Sequence, residues 1–174
     1  RGLGLEQDSF PPVGLINAIL KAPVDLWCNG GIGTYIKASH ETHQDAQDRT
    51  NDALRIDASE LRCRVLAEGG NLGLTQGARI EASQRGVRLN TDFIDNSAGV
   101  DCSDHEVNIK ILLGEVVAAG DLTLKQRDAL LAQMTDEVAA LCLRNNSLQN
   151  LALSLIETRA AAAVSEADAF QLDP

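Results

Sequence analysis

Short apolar runs separated by Gly- and Asn-rich turns occupy the first part of the chain, and apolar residues at helical spacing occupy the last part. Val13, Ile16 and Leu20, with Ala18 between them, predict a short helix over Val13–Lys21 that Pro23 ends. Val24–Cys28 is a brief apolar run that predicts a buried strand, opening into Asn29, Gly30, Gly31, Ile32 and Gly33. Ser39–Glu60 is the most polar stretch and reads as a loop with at most a turn of helix. Arg62–Ala67 predicts a second strand that runs into Glu68, Gly69, Gly70 and Asn71. Thr75 then stands as the N-cap of a helix to about Arg85, with Gly86 at its C′ position. Val87–Ile94 predicts a third strand, leading into a polar turn over Asp95–Gly99.

Beyond that point the pattern is helical. Ser103-Asp104-His105-Glu106 has the form of a capping box, placing the start of a long helix there and its end near Ala119. Thr123-Leu124-Lys125-Gln126 is a second such box, and Leu130, Met134, Val138 and Leu141 then repeat on one face. Asn145 and Asn146 are expected to interrupt this helix before it resumes over Leu148–Val164. Strand, glycine loop, helix and strand again is the signature of a βαβ arrangement. The expected class is α/β, a parallel sheet flanked by helices, with residues 1–120 as the sheet-bearing domain and 121–174 as a helical segment packing on it. Ligands of parallel sheets bind at the carboxyl ends of the strands, where the three Asn/Gly-rich loops should converge.

Composition narrows the function. A formal charge of −10 and only 3% aromatic residues describe an acidic protein with an aliphatic core, unsuited to polyanions or anionic lipid. The arginines between Arg49 and Arg88 are interleaved with Asp52, Asp57, Glu60, Glu68 and Glu81, a mixed solvated face. No apolar run is long enough to span a bilayer and no signal pattern opens the chain, so a cytoplasmic location is expected, with neither nucleic-acid nor membrane partners. Arg1 stands where a start methionine would, which reads as a piece of a longer chain. Cys28, Cys63, Cys102 and Cys142 are dispersed without a Cys-x-x-Cys pair; they read as buried thiols, with no bound metal expected.

The glycine loops suit a polar organic ligand such as a dinucleotide, and tight turns after strands account for them equally well. Gly31-Ile32-Gly33 matches only the opening of a Gly-x-Gly-x-x-Gly fingerprint, and no phosphate-binding Gly-Lys-Ser/Thr loop is present. His40-x-x-His43 with Asp45 reads as surface histidines and not as a metal site. Ser103, His105 and Glu106 are mere sequence neighbours and form no triad, since that chemistry needs a base and an orienting carboxylate placed in space. Cys102 lacks a base, and Lys37 beside a glycine loop is not by that fact catalytic.

Longer blocks carry more information. EGGNLGLTQ (Glu68–Gln76), TDFIDNSAGVDCSDHEVNIKILL (Thr91–Leu113), LWCNGGIGTYIKAS (Leu26–Ser39), NDALR (Asn51–Arg55) and ELRCRVLAEGG (Glu60–Gly70) resemble the large bacterial NAD-specific glutamate dehydrogenases. The resemblance covers roughly residues 14 to 118. It implies a Rossmann-like cofactor domain and NAD-dependent oxidative deamination of L-glutamate to 2-oxoglutarate and ammonia by hydride transfer. It puts Asn29, Gly30 and Gly31 near the cofactor, Asn71 beside the nicotinamide ribose and Asn96 at the nicotinamide or its ribose. It also puts Val100 against the aliphatic chain of the substrate and the Ser103 hydroxyl on a substrate carboxylate, at a helix start that itself favours anions.

The same resemblance implies that the catalytic lysine and aspartate lie upstream of the nucleotide-binding domain. Lys21, Lys37, Lys110 and Lys125 stand in no comparable glycine-rich segment, so no catalytic residue is expected in this chain, and alone it should be inert. A homo-oligomer through the full-length protein is expected. Two other readings remain open: a scaffold or oligomerisation module using the Leu130, Met134, Val138 and Leu141 face, and an amino-acid dehydrogenase of different specificity. The dehydrogenase reading requires Asn71, Asn96 and Ser103 to share one rim of a sheet.

Overall fold

In the computed structural model, which describes residues 9–160, the elements in chain order are α1 (Pro12–Leu20), β1 (Leu26–Asn29), β2 (Ile36–Lys37), β3 (Ile56–Asp57), β4 (Val65–Glu68), α2 (Gln76–Gln84), β5 (Arg88–Leu89), α3 (Asp92–Asp95), α4 (Ser97–Ala118), α5 (Leu124–Gln133) and α6 (Thr135–Glu157). Short 3-10 turns at Arg49–Asn51 and Ala58–Glu60 flank β3. The chain divides into two compact units, one through Asn96 and one from Ser97.

In the first unit β4 lies between β1 and β5, and all three strands are parallel, with Asn29 opposite Glu68 and Leu66 opposite Leu89. β2 and β3 form a separate parallel pair. The fold is thus mixed, a small parallel sheet flanked by helices. Leu20, Ile36, Ile56, Leu61, Leu66 and Leu74 make an aliphatic core, with Ala78 and Ala82 of α2 close-packed on it and Trp27 and Tyr35 at its margin. β1 is only half buried: Trp27 and Asn29 turn inward while Leu26 and Cys28 are exposed. The thiols divide likewise, Cys63 and Cys142 buried, Cys28 and Cys102 exposed, so the expectation of four buried cysteines is corrected.

Local chemistry sets the ends of α2. The Thr75 hydroxyl accepts from Ala78 N at 3.0 Å, and Gly86 takes φ +90°, the left-handed turn that ends a helix. The polar segment before it is pinned by one residue. Arg55, 6% exposed, donates Nε to Thr34 O at 2.8 Å, Nη2 to Asp48 O at 2.5 Å and Nη1 to Asp52 Oδ1 at 2.6 Å. A buried cation with several carbonyl and carboxylate acceptors orders a loop that has no apolar periodicity of its own.

The third predicted strand is shorter than its pattern. Thr91 is extended, but Asp92–Asp95 is helical, with both aspartates in the first turn where the helix dipole favours them. The expected turn over Asp95–Gly99 is largely helical too, because α4 begins at Ser97. Ser103 therefore lies inside α4 and caps nothing, which corrects the capping-box reading; Glu106 pairs instead with Lys110, one turn on.

In the second unit the Thr123 box forms as expected, with Gln126 N donating to the Thr123 hydroxyl at 3.3 Å and Thr123 N to Gln126 Oε1 at 2.9 Å. The break in the helix falls at Met134 and not at Asn145–Asn146. Those amides stay helical because α4 satisfies them: Asn145 Nδ2 donates to Asp101 Oδ2 and Asn146 Nδ2 to Ser97 Oγ, both at 2.9 Å. The predicted helix over Leu148–Val164 is the second half of α6 as far as Glu157, and Ala161–Val164 lie outside the described residues. No helix among the described residues is long and apolar enough to cross a membrane.

Candidate functional site

Because Asn29 and Glu68 are paired in register, β1 and β4 release their loops side by side. Gly69 N donates to Asn29 O at 2.7 Å. A Cβ on Gly69 would stand 2.8 Å from Asn29 O, and one on Gly70 2.6 Å from Gly31 O, so only glycine permits this backbone contact. Gly30 and Gly31 are exposed, and a Cβ there would meet nothing within 4 Å. Asn29 is 5% exposed; its Oδ1 accepts from Gly31 N at 3.3 Å, while its buried Nδ2 makes no hydrogen bond.

Beneath the loops lies an ionic brace. Glu68 is fully buried and takes a two-pronged contact from Arg79 of α2, Nε to Oε1 at 2.7 Å and Nη2 to Oε2 at 3.0 Å. Glu68 Oε2 also accepts from Leu74 N at 3.2 Å. Arg79 continues to Asp92 at 3.2 Å, whose other oxygen accepts from Leu72 N at 2.7 Å, while Asp95 accepts from Glu68 N at 2.9 Å. Burial pulls the Arg79 guanidinium down, but bonding and charge from Glu68, with the charges of Asp92 and Asp95, outweigh it and hold its pKa above the ordinary arginine value. The aspartates of α3 thus clamp the exit of β4.

On this brace Asn96 Nδ2 reaches Asn71 Oδ1 at 2.5 Å. Leu72 next to it is left-handed, φ +57°, and 62% exposed; its carbonyl accepts from Thr34 Oγ1 at 2.7 Å. A non-glycine residue held there against its own preference is a strained position that the surrounding bonds impose. Asn71, Leu72, Thr34 and Arg79 border a cleft of about 790 Å³ whose other wall includes Glu41, Asp45 and Asp48. Asp48 accepts from Asn51 Nδ2 and Thr34 N, at 2.6 and 2.8 Å, and these bonds hold its carboxyl below the ordinary value.

Of the expected site residues, Asn29, Gly30, Gly31, Asn71 and Asn96 all lie in the first unit, on the neighbouring exits of β1 and β4 and at the end of α3. Val100 and Ser103 lie in the second unit, on exposed positions of α4. Lys37 is buried in β2 and ion-paired with Asp57. His40 and His43 are exposed, and His43 Nδ1 sits 3.0 Å from Arg55 Nη1. The sequence reading overlooked Arg79, Asp92 and Asp95. One signal was available for Arg79: it follows Ala78 and precedes Ala82 on the inward, small-residue side of α2.

Residues 1–156 match the family model for the bacterial NAD-glutamate dehydrogenase catalytic domain. The chain is 61% identical over 162 residues to an NAD-specific glutamate dehydrogenase of Pseudomonas aeruginosa, covering 93% of this chain and 10% of that protein. It is 62% identical over 154 residues to the one from Halomonas elongata, covering 88% of this chain and 10% of the relative. For the Mycobacterium tuberculosis protein of the same name the figures are 58% over 139 residues, 80% of this chain and 9% of the relative. The chain thus spans about a tenth of the length of the curated relatives it matches. With identity this high along nearly all of its length, the chain belongs to the bacterial NAD-glutamate dehydrogenase family, within the catalytic domain.

Proposed function

We propose that the chain is the later part of a Rossmann-like NAD-binding domain in an enzyme that oxidatively deaminates L-glutamate to 2-oxoglutarate and ammonia, with residues 1–120 carrying the cofactor and substrate contacts and 121–174 a helical segment. When bound, NAD would accept the hydride from the substrate α-carbon. Asn71 and Asn96 would hold the nicotinamide ribose and carboxamide, and Gly30 and Gly31 would let the cofactor pass close to backbone. In α4, Val100 would meet the aliphatic chain of glutamate and Ser103 would donate to a carboxylate. The base and the ammonia-handling groups would come from other parts of the protein.

The observation that carries this reading is the Asn96–Asn71 hydrogen bond, which brings two neutral donor–acceptor amides together beside a cleft. The residues fit the nicotinamide half of the cofactor: open space over Gly30 and Gly31, an exposed Asn71 amide paired with a half-buried Asn96, and an acidic wall compatible with ribose hydroxyls and a cationic ring. That wall repels a pyrophosphate, whose glycine turn must be supplied elsewhere. Relatives named NAD-specific glutamate dehydrogenase support the same reading.

The test is L-glutamate-dependent NAD reduction by the full-length protein and by its Asn96→Ala variant. A raised KM for NAD with the fold intact is expected. Absence of glutamate-dependent reduction in the unmodified protein overturns the reaction, and an unchanged KM in the variant overturns the site.

A further inference from the structure

Within the second unit, α4 and α6 bring together three side chains that no spacing in the sequence connects. Asp101 and His105 stand one turn apart on α4, Cys142 faces them from α6, and one donor atom of each lies within 4.8 Å of the other two. Cys142 is 6% exposed. His105 Nε2 is buried without a hydrogen bond, 3.4 Å from Asp101 Oδ1. The second oxygen of Asp101 is occupied by Asn145 Nδ2 at 2.9 Å, so the carboxylate is oriented with its first oxygen toward the imidazole.

We propose that Asp101, His105 and Cys142 bind a divalent transition metal of the zinc class, with solvent as a fourth donor. The donor set argues for the ion: thiolate with imidazole and one carboxylate selects Zn²⁺ or Co²⁺ over Mg²⁺ or Ca²⁺, which take oxygen. The size agrees as well. Donors about 2.0 to 2.3 Å from tetrahedral zinc stand roughly 3.3 to 3.8 Å apart, so these side chains need contract only slightly around an ion. Asn145 is the outer-shell partner that metal-bound carboxylates usually have. On binding, the Cys142 thiol gives its proton to solvent and its sulfur pair to the metal. Burial first, then the charge of Asp101, keep that thiol protonated when no metal is present.

The site differs from the proposed substrate contact on the same helix. Ser103 lies about 200° around α4 from Asp101, and it is exposed where Asp101 and His105 are partly covered. The ion would fasten α4 to α6 and leave the Ser103 face free.

The experiment uses the full-length protein, reduced and stripped with chelator, then titrated with Co²⁺ under anaerobic conditions. The expected result is a thiolate-to-cobalt charge-transfer band with tetrahedral d–d bands, displaced by Zn²⁺. Cys142→Ser should remove that band. His105→Ala, a partly exposed position that leaves the fold intact, should weaken Co²⁺ binding by about 100-fold or more, and Asn145→Ala by about 10- to 100-fold, the usual outer-shell loss. Zinc should raise the melting temperature of the unmodified protein and not that of His105→Ala. The proposal is overturned if no charge-transfer band develops, or if the band persists unchanged in folded His105→Ala. Should Cys142→Ser fail to fold, the His105→Ala comparison decides alone.

Discussion

Asn96 Nδ2 donates to Asn71 Oδ1 across 2.5 Å and so ties the end of α3 to the exit of β4. If both amides serve the nicotinamide side of NAD, each also orients the other, and their losses should not add. Asn71→Ala and Asn96→Ala should each raise the KM for NAD about 2- to 10-fold, the worth of one ordinary hydrogen bond of about 0.5 to 1.5 kcal/mol. The double variant should fall short of the product. A double-mutant cycle on kcat/KM for NAD measures the coupling, and strict additivity would show that the observed bond has no bearing on the cofactor.

Arg79 neutralises a fully buried carboxylate. Arg79→Met leaves the buried Glu68 carboxylate without its guanidinium and frees Asp92 from its partner, which should destabilise this unit by about 3 to 5 kcal/mol. Replacing both partners, Glu68→Leu with Arg79→Leu, should be milder than the single change, because the most deeply buried charge is then removed along with its partner and only Asp92 loses the guanidinium. Hydrogen exchange of peptides from β4 and α2 reads the effect within the long protein, where one global melting curve does not. Equal protection in Arg79→Met and the unmodified protein would refute the brace.

These two sites also show where sequence patterns succeed and fail. α2 was legible at both ends because its signals are local: a hydroxyl that reaches Ala78 N, and a glycine that takes positive φ. α3 was not, since the alternating Val-Arg-Leu-Asn runs straight into Thr-Asp-Phe-Ile with no turn residue between, and the deciding bonds go to residues far along the chain, Asp92 to Leu72 and Asp95 to Glu68. Ser103 misled for the converse reason. Its spacing to Glu106 satisfies a capping box, but such a box has meaning only at a helix end, and this helix already starts at Ser97. That the glycine loops after β1 and β4 lie together was readable from the succession of strands and loops in a parallel sheet; the Arg79 brace needed knowledge of which face of α2 turns inward.

Asp48 should make the polar loop acid-sensitive. Its bonds to Asn51 and Thr34 and the charge of Arg55 lower its pKa in the folded protein. A depressed carboxylate stabilises fully above the unfolded value of about 3.9, and that contribution is lost as pH falls through the folded value. Glu81, lowered by its bonds to Ser39, acts in the same direction. Exchange protection of residues 39–60 should therefore hold near neutrality and fall below about pH 4. Asp48→Asn should lower protection at neutral pH and flatten that acid limb; an unchanged acid limb would count against the assignment.

Leu72 holds a left-handed backbone with most of its side chain in solvent. Asn tolerates that conformation better, so Leu72→Asn should stabilise the loop by up to about 1 kcal/mol, the low end of such strain. If the exposed leucine lies on the path of the cofactor, the same variant should also bind NAD more weakly. Exchange protection at Leu72–Leu74 and NADH titration separate the two effects, and a destabilised loop would contradict the strain argument.

Ser103 offers the cleanest test of the substrate contact, because the structure removes its competing role. As a cap it would have supported the helix, and Ser103→Ala would have lost stability and activity together. Inside α4 it is an exposed residue, and alanine, the better helix former by a few tenths of a kcal/mol, should leave the melting behaviour unchanged or slightly improved. A hydroxyl donating to a glutamate carboxylate is worth about 1.5 to 3 kcal/mol, so kcat/KM for L-glutamate should fall about 10- to 150-fold while the KM for NAD stays near its original value. Ser103→Thr, which keeps the hydroxyl, should recover part of that loss. Steady-state kinetics on the full-length variants decides: unchanged glutamate kinetics in Ser103→Ala, with the fold intact, would move substrate recognition away from this face of α4.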